Sequence, residues 1–202
     1  MFVLQTLGKR TDSFLETSQT ILHKHNGRII LTTKKADSYF DFETNIMGIF
    51  PMAKGKKIWL ETYVHEYCHF LQKYYKTPTY KQYMKNKAGC YETIASWIFR
   101  DKIPSKKDIK EAFHLTRMLE HECEIMSVQM VNEFNLPIDK ERLQRKGNAY
   151  LCFFHAVEKH RKWTTKKSIY TRSILDSMPS VIKHNYIENI PKEKLCLLEG
   201  CF

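Results

Sequence analysis

Hydrophobic positions along the chain follow two spacings that predict different structures. Between residues 28 and 50, short runs rich in β-branched and aromatic residues predict strands at 28–33, 39–42 and 46–50. Elsewhere apolar residues recur every three or four positions, which is typical of helices with one buried face. We therefore expect an α+β fold that is mostly helical, with a small N-terminal antiparallel sheet.

The helical pattern fills most of the chain. Ser13 and Glu16 have the spacing of a capping box, so a first helix should begin near Ser13 and precede the sheet. After the sheet we expect a bundle that includes long helices. Its helices are predicted at 57–75, 80–86, 91–100, 105–135, 139–163 and 169–178, and residues 181–202 are predicted to form a packed but irregular tail.

The length of 202 residues suits one domain. No linker, repeat or low-complexity segment interrupts the chain. We expect a single domain, 1–202, with a sheet part and N-terminal helix (1–56), a helical part (57–178) and a tail (179–202). The strand at 46–50 precedes a helix, and as an exposed sheet edge it could hold an extended chain by main-chain hydrogen bonds.

Lysine and arginine outnumber the acidic residues 33 to 22, which gives a formal charge of +11. Because the basic residues are scattered, we interpret them first as a solubilising surface. The basic and aromatic stretch 159–163, followed by Lys166 and Lys167, makes nucleic acid an alternative partner.

The same composition bears on the compartment. No window approaches the roughly 18 apolar residues of a membrane span, and residues 1–10 lack the pattern of a signal peptide. Six cysteines without a Cys-x-x-Cys pair are typical of thiols in a reducing compartment. We expect a cytoplasmic protein without a membrane partner.

Candidate chemistry concentrates in residues 62–71, which contain His65-Glu66-x-x-His69. Two histidines four residues apart lie on one face of a helix and can bind the same Zn²⁺. Glu66, next to the first histidine, has the position of a general base. The motif predicts a zinc site with its own base.

A catalytic zinc requires a third protein ligand and leaves its fourth position to water. In the longest predicted helix, Glu120 and Glu124 are one turn apart and share a face with Cys123. Buried carboxylates require partners, which zinc and a histidine N–H would supply. Glu92, nearer to the motif in sequence, is an alternative third ligand. Cys123 itself is typical of a core thiol.

His-Glu-x-x-His on one helix with a glutamate on a later helix resembles the gluzincin metallopeptidases. The resemblance implies a zincin-like fold in which His65, His69 and Glu120 bind zinc. It also implies that Glu66 is the general base and that Glu124 accepts a hydrogen bond from a ligand histidine. Glu124 and Glu92 stay open as alternatives to Glu120.

Several longer strings are also similar to small proteins of tailed phages that are taken to be metallopeptidases. This resemblance implies the host cytoplasm as the place of action. The strings are 119–124, 135–139, 148–150, 161–163 and 177–179.

The combined prediction is a zinc-dependent metallopeptidase that hydrolyses a peptide bond of a protein or peptide substrate through a Glu66-activated, zinc-bound water. The alternative is a basic nucleic-acid-binding or scaffolding protein with a zincin-like fold and little or no proteolytic activity. Neither the cleavage specificity nor the oligomeric state follows from the sequence pattern.

Overall fold

The computed structural model describes residues 8–32, 38–50, 56–86, 89–99, 103–163 and 167–202. Residues 1–7, Thr33, Arg100 and Lys166, on which some of the predictions fall, lie outside these ranges. Eight α-helices and three strands occur within the described residues, so the expected α+β fold with mostly helical content is confirmed.

The elements follow one another with short connections. In chain order they are α1 Lys9–Lys24, β1 Arg28–Leu31, β2 Tyr39–Asp41, β3 Ile46–Ile49, α2 Lys56–Tyr75, α3 Pro78–Lys85, α4 Cys90–Phe99, α5 Lys106–Glu133, α6 Lys140–His160, α7 Arg172–Ser177, a 3₁₀ helix His184–Ile187 and α8 Lys192–Glu199. The prediction of an irregular tail after residue 181 is therefore wrong, because this region forms the 3₁₀ helix and α8.

The start of α1 also differs from the prediction. The helix begins at Lys9 and its N-cap is Gly8, which has a φ of 106° and provides no side-chain cap. Ser13 lies inside the helix. The reason is the buried face, which already includes Thr11 and continues through Phe14 and Leu15, so that burial extends the helix beyond the capping-box signal.

The sheet is mixed and not antiparallel as expected. Its order is β1-β3-β2, in which β1 pairs with β3 in parallel and β2 pairs with β3 antiparallel. Both edges of β3 are hydrogen-bonded to a neighbouring strand. The hypothesis that residues 46–50 present an exposed edge is therefore wrong. At Gly48 the ring of Tyr39 occupies the space that a side chain would fill.

The chain folds into two compact units. The first comprises the described residues within Met1–Lys76 and Met126–Lys140. In it, the buried Phe14 ring of α1 lies edge-on to Tyr63 and Tyr67 of α2, with centroid distances of 6.0 and 6.1 Å. The Tyr63 hydroxyl also shares a 2.8 Å hydrogen bond with Ser18 Oγ. Aromatic packing therefore fixes α1 against α2.

The second unit comprises the described residues within Thr77–Ile125 and Glu141–Phe202. Its core consists of side chains from α4, the first part of α5, α6 and the C-terminal elements, with Phe113, Leu151, Phe154 and Leu198 among the most buried. Arg117 of α5, 5% exposed, donates from Nε to Ile187 O at 2.7 Å. These contacts pack the C-terminal segment as part of the unit.

Candidate metal centre

The two motif histidines lie one turn apart on α2, as the sequence predicts. Their rings are perpendicular, with centroids 4.8 Å apart. His69 is buried and His65 is half-buried. Because the four-residue spacing directs both imidazoles to one face of the helix, their nitrogens can bind a common ion.

A buried glutamine fixes the state of the second histidine. Gln72, 0% exposed, lies 2.8 Å from His69, between its Oε1 and the ring Nδ1. An amide oxygen only accepts, so Nδ1 carries a proton, and in the neutral ring Nε2 then carries the lone pair. That is the state in which a histidine binds a metal, and such a hydrogen bond is usual behind metal-binding histidines.

A second contact also restrains the His69 ring. The ring of Phe42, in the β2–β3 connection, packs edge-on at a centroid distance of 5.8 Å. Gln72 and Phe42 together orient the imidazole. Neither residue belongs to the motif, although Gln72 lies three positions after His69, where a helix brings a side chain alongside.

Glu66 follows His65 on α2 and is 7% exposed. This placement fits the general-base role that the motif predicts.

The acidic face predicted on α5 is buried. Glu120 is 9% exposed, Glu124 is 6% exposed and Cys123 is fully buried. Burial, with smaller contributions from Cys90 and the Glu120 carboxylate, raises the pKa of Tyr83 on α3. Buried carboxylates require polar or charged partners, and zinc is one partner that a carboxylate can bind.

Two other glutamates, Glu92 and Glu122, lie in different surroundings. Glu92 is exposed in the first turn of α4, where its carboxylate folds over Gly89, a residue with a φ of 72°. Glu122 is partly buried and accepts hydrogen bonds from Thr77 and Thr79. It therefore ties the start of α3 to α5.

The basic stretch considered for nucleic acid contacts other parts of its own unit. Lys159 is paired with Glu199, and the His160 ring stacks on Phe202 at a centroid distance of 5.1 Å. The Arg161 guanidinium lies 5.3 Å from the centroid of the Trp97 ring and donates to its carbonyl. These internal contacts engage Lys159 and Arg161, two of the three lysine and arginine side chains in the stretch 159–163.

The chain matches no protein-family model, no curated protein and no solved structure with which it was compared. None of the helices in the described ranges has the length and hydropathy that a membrane span requires. All six cysteines are free thiols. The donor set on α2, two imidazoles with one tautomer fixed by Gln72, fits a Zn²⁺ ion.

Proposed function

We propose that the protein is a zinc-dependent peptidase of the gluzincin type, with a zincin-like arrangement around α2. His65 and His69 would bind the ion, and Glu66 would be the general base. The observation that carries the proposal is the hydrogen bond from His69 Nδ1 to the buried Gln72 Oε1, because it prepares Nε2 for a metal.

The third ligand is proposed to come from α5. Glu120 is the candidate that the gluzincin resemblance implies, with Glu124 behind a ligand histidine. Cys123, on the same face of α5, is its rival, because a thiolate can also bind zinc. A glutamate ligand would give the site a hard oxygen donor, whereas a cysteine ligand would give it a soft sulfur donor.

Zinc bound here would lower the pKa of a coordinated water and polarise the substrate carbonyl. Glu66 would take a proton from the attacking water and pass it to the departing amine nitrogen. The hydrogen bond to Gln72 would hold the His69 ring in one tautomer throughout. We propose a peptide or protein substrate in the cytoplasm, which would be the host cytoplasm for a phage protein.

Two variants separate metal binding from chemistry. His65→Ala removes a ligand and should lose zinc, whereas Glu66→Gln should keep zinc and lose peptide hydrolysis. Zinc content by atomic absorption and cleavage of a denatured protein substrate are the two readouts. A Glu66→Gln protein with undiminished cleavage would contradict the role of Glu66.

The basic charge keeps a nucleic-acid-binding or scaffolding role as a second proposal. It would be supported by salt-dependent binding of DNA or RNA by the Glu66→Gln protein, with a slope that Lys162→Ala reduces. Lys162 is exposed, and it lies in the stretch 159–163. Binding without a salt slope would contradict this role.

A further inference from the structure

The Glu124 carboxylate lies where α6 has no side chain. A Cβ built on Gly147 would be 2.9 Å from Glu124 Oε2 and 3.0 Å from Glu124 Cδ. The same Cβ would be 2.8 Å from Ile182 Cδ1. Carbon atoms are not accommodated at these separations, so any residue with a Cβ at position 147 would displace Glu124, Ile182 or both.

The backbone conformation at position 147 does not require a glycine. Gly147 lies inside the continuous helix α6, where glycine is less favourable than alanine by about 1 kcal/mol. Its φ is not in the left-handed region. The unfavourable residue is explained by the space it leaves for the Glu124 carboxylate.

The neighbouring residue, Asn148, holds the segment that contains Ile182. Asn148 is fully buried, and its Nδ2 donates to Pro179 O and Val181 O, both at 2.9 Å. Its Oδ1 accepts from Lys183 N at 2.9 Å. Residues 181 and 183 are therefore both held, and Ile182 between them is held against Gly147.

We infer that Gly147 is a positioning residue for Glu124: the missing side chain on α6 admits the carboxylate, and Ile182, fixed by Asn148, limits its movement. The reason why this position matters rests on the proposed function, in which Glu124 accepts a hydrogen bond from a zinc-binding histidine. Residues in that role typically change metal affinity by about 10- to 100-fold when altered.

Gly147→Ala tests the inference because its effects on stability and on metal affinity should separate. The atoms that must move are the ends of flexible side chains, and alanine favours the helix. The melting temperature of the zinc-free protein should therefore stay within about 4 °C of wild type. Zinc affinity, measured by chelator competition, should fall about 10- to 100-fold.

Two further variants sharpen the test. Gly200→Ala is the matched control, because a Cβ there meets only Leu197 O at 3.5 Å, and it should leave zinc affinity unchanged. Glu124→Asp shortens the carboxylate side chain by one methylene. In the Gly147→Ala background it should raise zinc affinity, whereas alone it should lower it. Wild-type affinity in Gly147→Ala, or no rescue in the double variant, would overturn the inference.

A wild-type protein that binds no zinc would contradict the proposed function but not this inference. The inference is then tested by a double-mutant cycle of melting temperatures. Gly147→Ala should raise the melting temperature of a Glu124→Ala protein by about 2–4 °C more than it raises that of wild type, because the carboxylate no longer competes for the space. Equal shifts in the two backgrounds would overturn it.

Discussion

Gln72 Oε1 accepts a hydrogen bond from His69 Nδ1 at 2.8 Å inside the first unit. The glutamine is fully buried and three residues after the histidine on α2. The contact gives His69 one tautomer and one orientation. Beyond the suitable spacing of the two histidines, this hydrogen bond leaves Nε2 of His69 as the nitrogen that can bind a metal.

Removing the Gln72 acceptor should weaken zinc binding. Gln72→Leu leaves the Nδ1–H of His69 without this acceptor, and we expect zinc affinity to fall about 10- to 100-fold. Gln72→Glu keeps an acceptor at a similar distance and should retain most of the affinity. Chelator competition measures both, with the exposed Gln129→Leu on α5 as the control. Equal affinities for the Leu and Glu variants would count against the role of Gln72.

The third ligand can be identified by comparing α5 variants. Either Glu120→Gln or Cys123→Ser should lower zinc affinity by more than about 100-fold, which exceeds the usual effect of a residue behind a ligand. A near-ultraviolet thiolate band in the Co²⁺-substituted protein would select Cys123, and its absence would select Glu120. Glu92→Gln should keep the metal. The proposal that α5 supplies the ligand would be contradicted if Glu92→Gln lost zinc while Glu120→Gln and Cys123→Ser both kept wild-type zinc affinity.

Arg117 should be important for stability. Its Nη1 is 2.8 Å from Glu158 Oε2, in addition to the hydrogen bond from Nε to Ile187 O. Arg117→Met leaves a partly buried carboxylate and a carbonyl without this partner, and should lower the free energy of unfolding by about 3–5 kcal/mol. Urea denaturation measures the change. The matched control is Arg172→Met, whose pair with Asp176 is exposed and should contribute less than about 1 kcal/mol. Similar losses for the two variants would contradict this prediction.

Acid should destabilise the second unit through His155. Burial, followed by the Arg117 charge, lowers the pKa of His155, and its Nε2 donates to Tyr186 O at 2.8 Å. Below about pH 6.5 the unfolded chain binds a proton there more readily than the folded chain, so stability falls as pH falls through that value.

His155→Gln tests this assignment because it can keep a donor to Tyr186 O without titrating. The melting temperature of its zinc-free form should fall less between about pH 7.5 and about pH 5.5 than that of the wild type. His23→Gln, an exposed histidine on α1, is the control. An unchanged pH dependence in His155→Gln would mean that other groups carry the effect.

The sequence was sufficient for elements with strong local signals. The α2 motif, the long α5 and the strand at Ile46–Ile49 were predicted because periodicity and β-branched runs are local properties. Strand pairing was not predicted, because β3 and not β2 lies beside β1, and a local sequence pattern does not show which strands are neighbours. The 3₁₀ helix and α8 were missed because side chains of α5 and α6 hold them, and local periodicity does not show these contacts.

The candidate site divides in the same way. His65, Glu66 and His69 are readable from their spacing alone. Gln72 carries no motif, and only its burial and its contact with His69 reveal its role. Gly147 is, by sequence, only a weak point in a helix, and its close approach to Glu124 is visible only in the folded chain.

The most direct test of the central claim is the zinc content of the purified protein and its variants. The proposal predicts about one zinc per chain in wild type, one per chain in Glu66→Gln, and none in His65→Ala or His69→Ala. Wild-type protein that takes up no zinc at micromolar concentrations, or His69→Ala protein that binds zinc as tightly as wild type, would contradict it.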